Sequence, residues 1–163
     1  MKIYFVRHGI AEERINNQDH LERKLTQEGI KKTHKIAEKM VKIAVECDVI
    51  ITSPYRRAVE TAQILAKYNP APSTIIADYL QPEGDINLWL TWLKKSNYGE
   101  DNNLILVGHE PDLSSWAEIL IYGKNSGKIT LKKSGIIGVK INNFDYPCGN
   151  SELFLLTSPK WII

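Results

Sequence analysis

Three short runs of uninterrupted apolar character constrain this chain of 163 residues more than any other feature. Ile3-Tyr4-Phe5-Val6, Val49-Ile50-Ile51-Thr52 and Leu104-Ile105-Leu106-Val107 show no polar alternation and are rich in β-branched side chains. A strand with one wet face alternates, whereas a strand apolar at every position is covered on both sides. The intervening sequence has helical spacing. Thr26 is an N-cap ahead of Ile30, Ile36, Ala37, Met40, Val41 and Ala44, with lysines on the solvated opposite face. Residues 56–68 place Ala58, Thr61, Ala62, Leu65 and Ala66 on one face, and the run through Pro70, Ala71 and Pro72 breaks that helix. Further helices are predicted over 86–93 and 113–122, and further strands over 128–131, 136–141 and 152–157. Strands alternating with helices predict an α/β fold, a three-layer α/β/α sandwich with a mostly parallel central sheet and antiparallel pairs from the last strands. Trp89, Trp92 and Trp116 are expected in the core.

The length favours one domain over residues 1–163, with no repeat, low-complexity tract or linker. Twenty-one Lys and Arg against 19 Asp and Glu leave a net charge of +2, too small to make nucleic acid or an anionic membrane the main partner. Cys47 and Cys148 form no CxxC pair, so neither a disulfide framework nor a cysteine-rich zinc site is expected. The opening apolar run is too short for a signal peptide, and no stretch approaches a membrane span. These features predict a cytoplasmic protein.

Each of the three apolar runs ends in a polar cluster: Arg7-His8-Gly9, Ser53-Pro54-Tyr55-Arg56-Arg57 and Gly108-His109-Glu110. In open α/β sheets ligands bind outside the carboxyl ends of the strands, so a parallel sheet would gather two histidines and several arginines at one edge. The chemistry of that set is phosphoryl transfer. A neutral imidazole can carry a phosphoryl group covalently, and guanidinium groups match its oxygens in geometry and charge. Gly9 would let the backbone pass close to a phosphate, and helix N-termini after Gly9 or near Arg56 could add N–H donors.

The same clusters carry a resemblance. The chain resembles the histidine phosphatase, or phosphoglycerate-mutase-like, superfamily, and within it the small phosphohistidine phosphatases of the SixA type. The RHG opening matches Arg7-His8-Gly9, and a D-x-x-x-R-x-L-T-x-x-G stretch is similar to Asp19, Arg23, Leu25, Thr26 and Gly29. SPxxRAxxTA matches Ser53, Pro54, Arg57, Ala58, Thr61 and Ala62, and GHxP matches Gly108, His109 and Pro111. The resemblance implies His8 as the phosphorylated nucleophile, Arg7 and Arg57 as ligands of the phosphoryl oxygens, and His109 as a further donor to them. Arg23 would face the pocket mouth, while Arg56 falls off the motif and belongs to the surface. No metal and no cofactor are implied.

Many members acting on alcohol phosphates carry an acid in an L-x-E segment, whereas here Leu80-Gln81-Pro82-Glu83-Gly84-Asp85 puts proline at that place. An alkoxide leaving group needs a proton from a general acid, worth about 10²–10⁴-fold, and an imidazole leaving group needs far less help. The expected function is therefore dephosphorylation of phosphohistidine in a phosphotransfer protein. Glu83 and Asp85 keep open a phosphomonoesterase acting on a small phosphorylated metabolite, and a catalytically silent phosphoprotein-binding module is the third reading. The stretches 12–21 and 94–103 carry no readable partner code.

Overall fold

In a computed structural model, which describes residues 1–69 and 73–162, the strands build one six-stranded sheet of order β3-β2-β4-β1-β5-β6. The elements in chain order are β1 (Lys2–Arg7), α1 (Gln27–Lys42), β2 (Val49–Thr52), α2 (Arg56–Tyr68), β3 (Ser73–Ile76), α3 (Ile86–Lys95), β4 (Asn103–Gly108), α4 (Asp112–Tyr122), β5 (Ile136–Ile141), β6 (Ser151–Thr157) and α5 (Pro159–Ile162). A short 3₁₀ turn, Asp78–Leu80, precedes α3. Pairings among β1, β4, β2 and β3 are parallel, and those of β1 with β5 and of β5 with β6 are antiparallel.

The apolar runs are covered on both sides, as their composition demands. Ile3, Phe5, Val49, Ile51, Leu104 and Leu106 point into a core with Trp89, Leu113, Trp116 and Leu120 of α3 and α4. Their alternates Tyr4, Val6, Ile50, Ile105 and Val107 point into a second core with Ile36, Met40, Ala58 and Leu65 of α1 and α2. Each fully buried Leu or Ile contributes about 2 kcal/mol through removal of its surface from water. The result is the three-layer α/β/α sandwich. Among the described residues no helix is long and apolar enough to cross a membrane.

Local chemistry sets the boundaries. The Thr26 hydroxyl accepts the Gly29 N–H at 3.0 Å and caps α1. That helix stops at Lys42: Ala44 takes a left-handed φ of 56° and is exposed, and Val41 is also exposed, so these two leave the predicted apolar face. The predicted strand over 128–131 does not form. Its N–H groups at Lys128 and Ile129 donate to the buried carboxylate of Glu118, and that of Leu131 donates to Glu110, leaving no ladder to join. The predicted helix after Gly9 is absent too. Residues 10–26 form a loop pinned by isolated bridges between Ala11 and Leu25 and between Ile15 and Gln18. β3 and α5 were not predicted, and the Pro70, Ala71, Pro72 break lies outside the described residues.

Register places the site. β1 pairs with β4 so that Arg7 lies opposite Gly108, and β2 pairs with β4 so that Thr52 lies opposite Val107. The next residue on each strand, His8, His109 and Ser53, therefore leaves the sheet at one edge.

Candidate active site

The two imidazoles stand with ring centroids 5.1 Å apart. The ring of His8 is held by its own backbone neighbourhood, Nδ1 lying 2.7 Å from the Gly9 carbonyl oxygen. A carbonyl only accepts, so Nδ1 carries the proton and Nε2 keeps its lone pair. Arg57 agrees with this tautomer, since its Nε–H donates to His8 Nε2 at 3.1 Å and a guanidinium cannot accept. Burial first, then the charges of His109 and Arg57, hold the His8 pKa well below the ordinary histidine value. The ring is neutral near pH 7, with one unprotonated nitrogen.

Arg57, from the first turn of α2, is 2% exposed and joins the cluster together. Besides His8, its Nη2 donates to Asp19 Oδ2 at 2.7 Å and lies 3.1 Å from His109 Nδ1, while Nη1 reaches the His20 carbonyl at 3.4 Å. Because arginine only donates, His109 Nδ1 is the acceptor and its proton sits on Nε2, 2.8 Å from Ser53 Oγ. Ser53 Oγ also accepts the Tyr55 N–H at 3.2 Å, which explains serine at the close of β2. Burial, followed by the Arg57 charge, pushes the His109 pKa down to about 3. Tyr55 packs edge-on to the His109 ring and under the guanidinium, its ring centroid 4.7 Å from Arg57 Cζ. Asp19 bridges Arg57 and Arg23, whose Nη1 donates to Asp19 Oδ1. A buried arginine without such a partner would be strongly destabilising.

Arg7 closes the other side. Its Nη1 donates to the Leu131 carbonyl at 2.8 Å, and its buried Nε has no hydrogen-bond partner among the described residues. The cavity encloses about 240 Å³, and Arg7, His8, Arg57 and His109 line it together with Arg23 at its mouth. The sequence-predicted set thus converges in one place, with one exception. Gly9 is absent from the lining; its N–H is bound to Thr61 Oγ1 at 3.0 Å, and a Cβ there would lie 2.7 Å from Thr33 Oγ1. Glycine at this position makes room for α1, not for a ligand.

Four further residues line the cavity that sequence reasoning did not assign a part: Arg14, Asp19, Glu110 and Lys133. Asp19 had a signal in the D-x-x-x-R spacing, and Glu110 sat inside the third polar cluster; Arg14 and Lys133 had none. Glu110 accepts hydrogen bonds from Ser114 N at 3.1 Å, Ser114 Oγ at 2.8 Å and Leu131 N at 3.1 Å. Pro82 is part of the cavity wall. Glu83 is exposed and donates its N–H to Asp112, and Asp85 caps α3 by accepting from Asn87 N at 2.8 Å and Asn87 Nδ2 at 3.0 Å. Neither lines the cavity. Arg56 is exposed and paired with Glu60.

The family model of the histidine phosphatase superfamily (branch 1) matches residues 3–80. An uncharacterized protein of Picosynechococcus sp. is 38% identical over 100% of this chain and 99% of its own. The chain belongs to the histidine phosphatase superfamily. This histidine phosphatase also shares its fold with solved structures of low identity. The protein histidine phosphatase SixA complexed with tungstate superposes with a TM-score of 0.86 at 22% identity, covering 100% of both chains. The phosphoserine phosphatase of Entamoeba histolytica in complex with phosphoserine gives 0.72 at 19% identity, covering 99% of each. Likeness at these identities establishes the phosphoglycerate-mutase-like fold, and family membership makes the chain a phosphatase in class.

Proposed function

We propose that this phosphatase acts through a covalent phosphohistidine on His8 and that its substrate is phosphohistidine in a phosphotransfer protein. The observation that carries the mechanism is the His8 tautomer: Nδ1–H rests on the Gly9 carbonyl, so Nε2 keeps a lone pair that accepts the Arg57 Nε–H in the resting site and is released for attack when that donor turns to a phosphoryl oxygen. In the first step Nε2 attacks phosphorus, the Nε2–P bond forms, and the bond from phosphorus to the leaving nitrogen breaks. Arg7 and Arg57, which line the cavity, hold the phosphoryl oxygens. Burial and then the Arg57 charge keep His109 neutral in the resting site; the incoming negative charge offsets both, so Nδ1 takes a proton from solvent water and His109 becomes a donor to the same oxygens. In the second step water attacks phosphorus, the Nε2–P bond breaks, and inorganic phosphate leaves with His8 neutral again. The scheme uses no metal and no cofactor.

The leaving-group assignment rests on the carboxylates. Pro82 stands at the cavity wall; the exposed Glu83 lies outside the lining, and the Asp85 carboxylate is taken up in capping α3. Glu110 is bound by three donors and Asp19 by two arginines, so neither is free to protonate an alkoxide. An imidazole can depart already protonated and does not need such an acid. The unpaired thiols of Cys47 and Cys148 suit a reducing cytoplasm, and the shared sheet suits one domain acting as a unit.

The test is a substrate panel with and without chelator: a phosphohistidine-bearing phosphotransfer domain against sugar, nucleotide and amino-acid phosphates, with acid-quench trapping of ³²P on the protein. Fastest turnover of the phosphohistidine protein, and loss of label in His8→Ala, are expected. Faster hydrolysis of alcohol phosphates would favour the small-molecule reading. Absence of both turnover and label would leave a binding module, and loss of activity on chelation would contradict the metal-free scheme.

A further inference from the structure

The cavity holds more positive charge than one phosphoryl group needs. Five basic side chains line it against two carboxylates, Asp19 and Glu110, both already engaged. Among the described residues Arg7, Arg14 and Lys133 have no ion-pair partner. A phosphoryl group taken by Arg7 and Arg57 leaves Arg14 and Lys133 unanswered at the mouth.

Lys133 is exposed, and the backbone that carries it is fixed. It occupies a tight turn closed by the Gly135 N–H donating to the Lys132 carbonyl at 2.7 Å, with Ser134 at a left-handed φ of 58°. The Ser134 N–H lies 3.0 Å from the carbonyl of Arg7 and 3.2 Å from that of His8, and the Arg7 N–H donates to the Gly135 carbonyl at 3.2 Å. The Arg7 side chain grips the same segment through the Leu131 carbonyl. The turn is therefore fastened to the two residues that begin the site, at the cost of a strained residue buried at its apex. Burial, then the charges of Arg7, Arg23, Arg57 and Arg14, lower the lysine's pKa, which marks surroundings short of negative charge.

We infer that Lys133 and Arg14 form a second anion-recognising position at the cavity mouth, and that the substrate presents a further acidic group beside its phosphoryl group. The inference rests on the reading of the inner cavity as the phosphoryl site. The acidic group can belong to the protein bearing the phosphohistidine or to a small molecule. A neighbouring hollow, lined by Ile15 (65% exposed) and Leu21 (46% exposed) and sharing Arg23 with the cavity, offers apolar contact that only a larger partner would use.

The experiment measures steady-state kinetics on N-phosphoimidazole, which has no second acidic group, free phosphohistidine, which has a carboxylate, and a phosphorylated phosphotransfer domain. Lys133→Met and Arg14→Met are compared with Lys133→Arg, with thermal melts as the folding control. Loss of one charge-assisted contact is expected to raise KM about tenfold on the probes with a second acidic group, with kcat changed about twofold or less. KM for N-phosphoimidazole should change by about twofold at most, and Lys133→Arg should recover most of the loss. An equal KM change on all probes, or a fall in kcat in place of the KM rise, overturns the inference. Joint Ile15→Ser and Leu21→Ser substitution raising KM only for the phosphotransfer domain would identify a protein source. No effect there, with the free phosphohistidine effect intact, would identify a small molecule. If the parent protein turns over no probe, the phosphatase reading fails. The inference is then decided by calorimetry with orthophosphate and pyrophosphate: tighter pyrophosphate binding abolished by Lys133→Met sustains it, and equal binding overturns it.

Discussion

Replacing Arg57 with lysine keeps the positive charge and removes the planar fork, and it is expected to lower kcat/KM on a phosphohistidine substrate about 100-fold. The magnitude follows from what the guanidinium touches. One edge faces His8 Nε2 and His109 Nδ1, each at 3.1 Å, and these are the donors that the proposed phosphoryl oxygens would take over. The nitrogen that faces His109, Nη2, also holds Asp19 at 2.7 Å. A lysine ammonium can satisfy Asp19 or the cavity but does not span both, so about two hydrogen bonds to a charged group are lost, each worth roughly 1.5–3 kcal/mol. Allowing part of that to be recovered by the remaining charge leaves about 3 kcal/mol, which converts to roughly two orders of magnitude. Single-turnover release of ³²P-phosphate from a phosphorylated phosphotransfer domain reads the loss directly. Circular dichroism and thermal melts establish that the variant is folded, and ³²P trapping on His8 shows which step is slowed. A variant within threefold of the parent would refute the claim that directed donors, and not net charge, organise the site.

Two further predictions follow from the buried groups. The His8 and His109 imidazole resonances should stay in their neutral positions from pH 8 down to pH 5, because burial and Arg57 depress both pKa values, that of His109 to about 3. The unfolded chain takes up these protons near pH 6.5, so stability is full above that value and is lost as the pH falls towards about 3. A urea midpoint that does not decline between pH 6.5 and 4, or resonances titrating near 6.5, would refute this. Gly29→Ala should destabilise by about 3 kcal/mol in urea titrations, since a Cβ there meets the backbone carbonyl of Ile10, which cannot step aside. A change below about 0.5 kcal/mol would show the loop to be compliant.

The parts of the molecule legible in the sequence are those fixed by burial or by short spacing. Residues 56–68 read as a helix because Ala58, Thr61, Ala62 and Leu65 keep a 3.6-residue period, and α2 has those bounds. The three buried strands read from their unbroken apolar runs. β3 did not, because Ser73, Thr74 and Ile76 are exposed on the sheet's edge and carry no apolar signature. The stretch 128–131 misled because its donors are satisfied by Glu118 and Glu110, side chains that pattern reading cannot connect to it. In the site, motif residues were legible and their tautomers were not. Arg14 and Lys133 escaped notice because only the folded chain brings a loop and a turn to the same cavity mouth.

The support of the His8 ring by a main-chain carbonyl has an evolutionary consequence. In catalytic sets where a distant carboxylate orients the histidine, one substitution can misdirect it. Here the orienting group is the peptide oxygen of the following residue, present whatever side chain stands there. Drift around the rim can then alter which molecules are admitted while the imidazole keeps its posture, so one inner apparatus can serve lineages with unrelated clients.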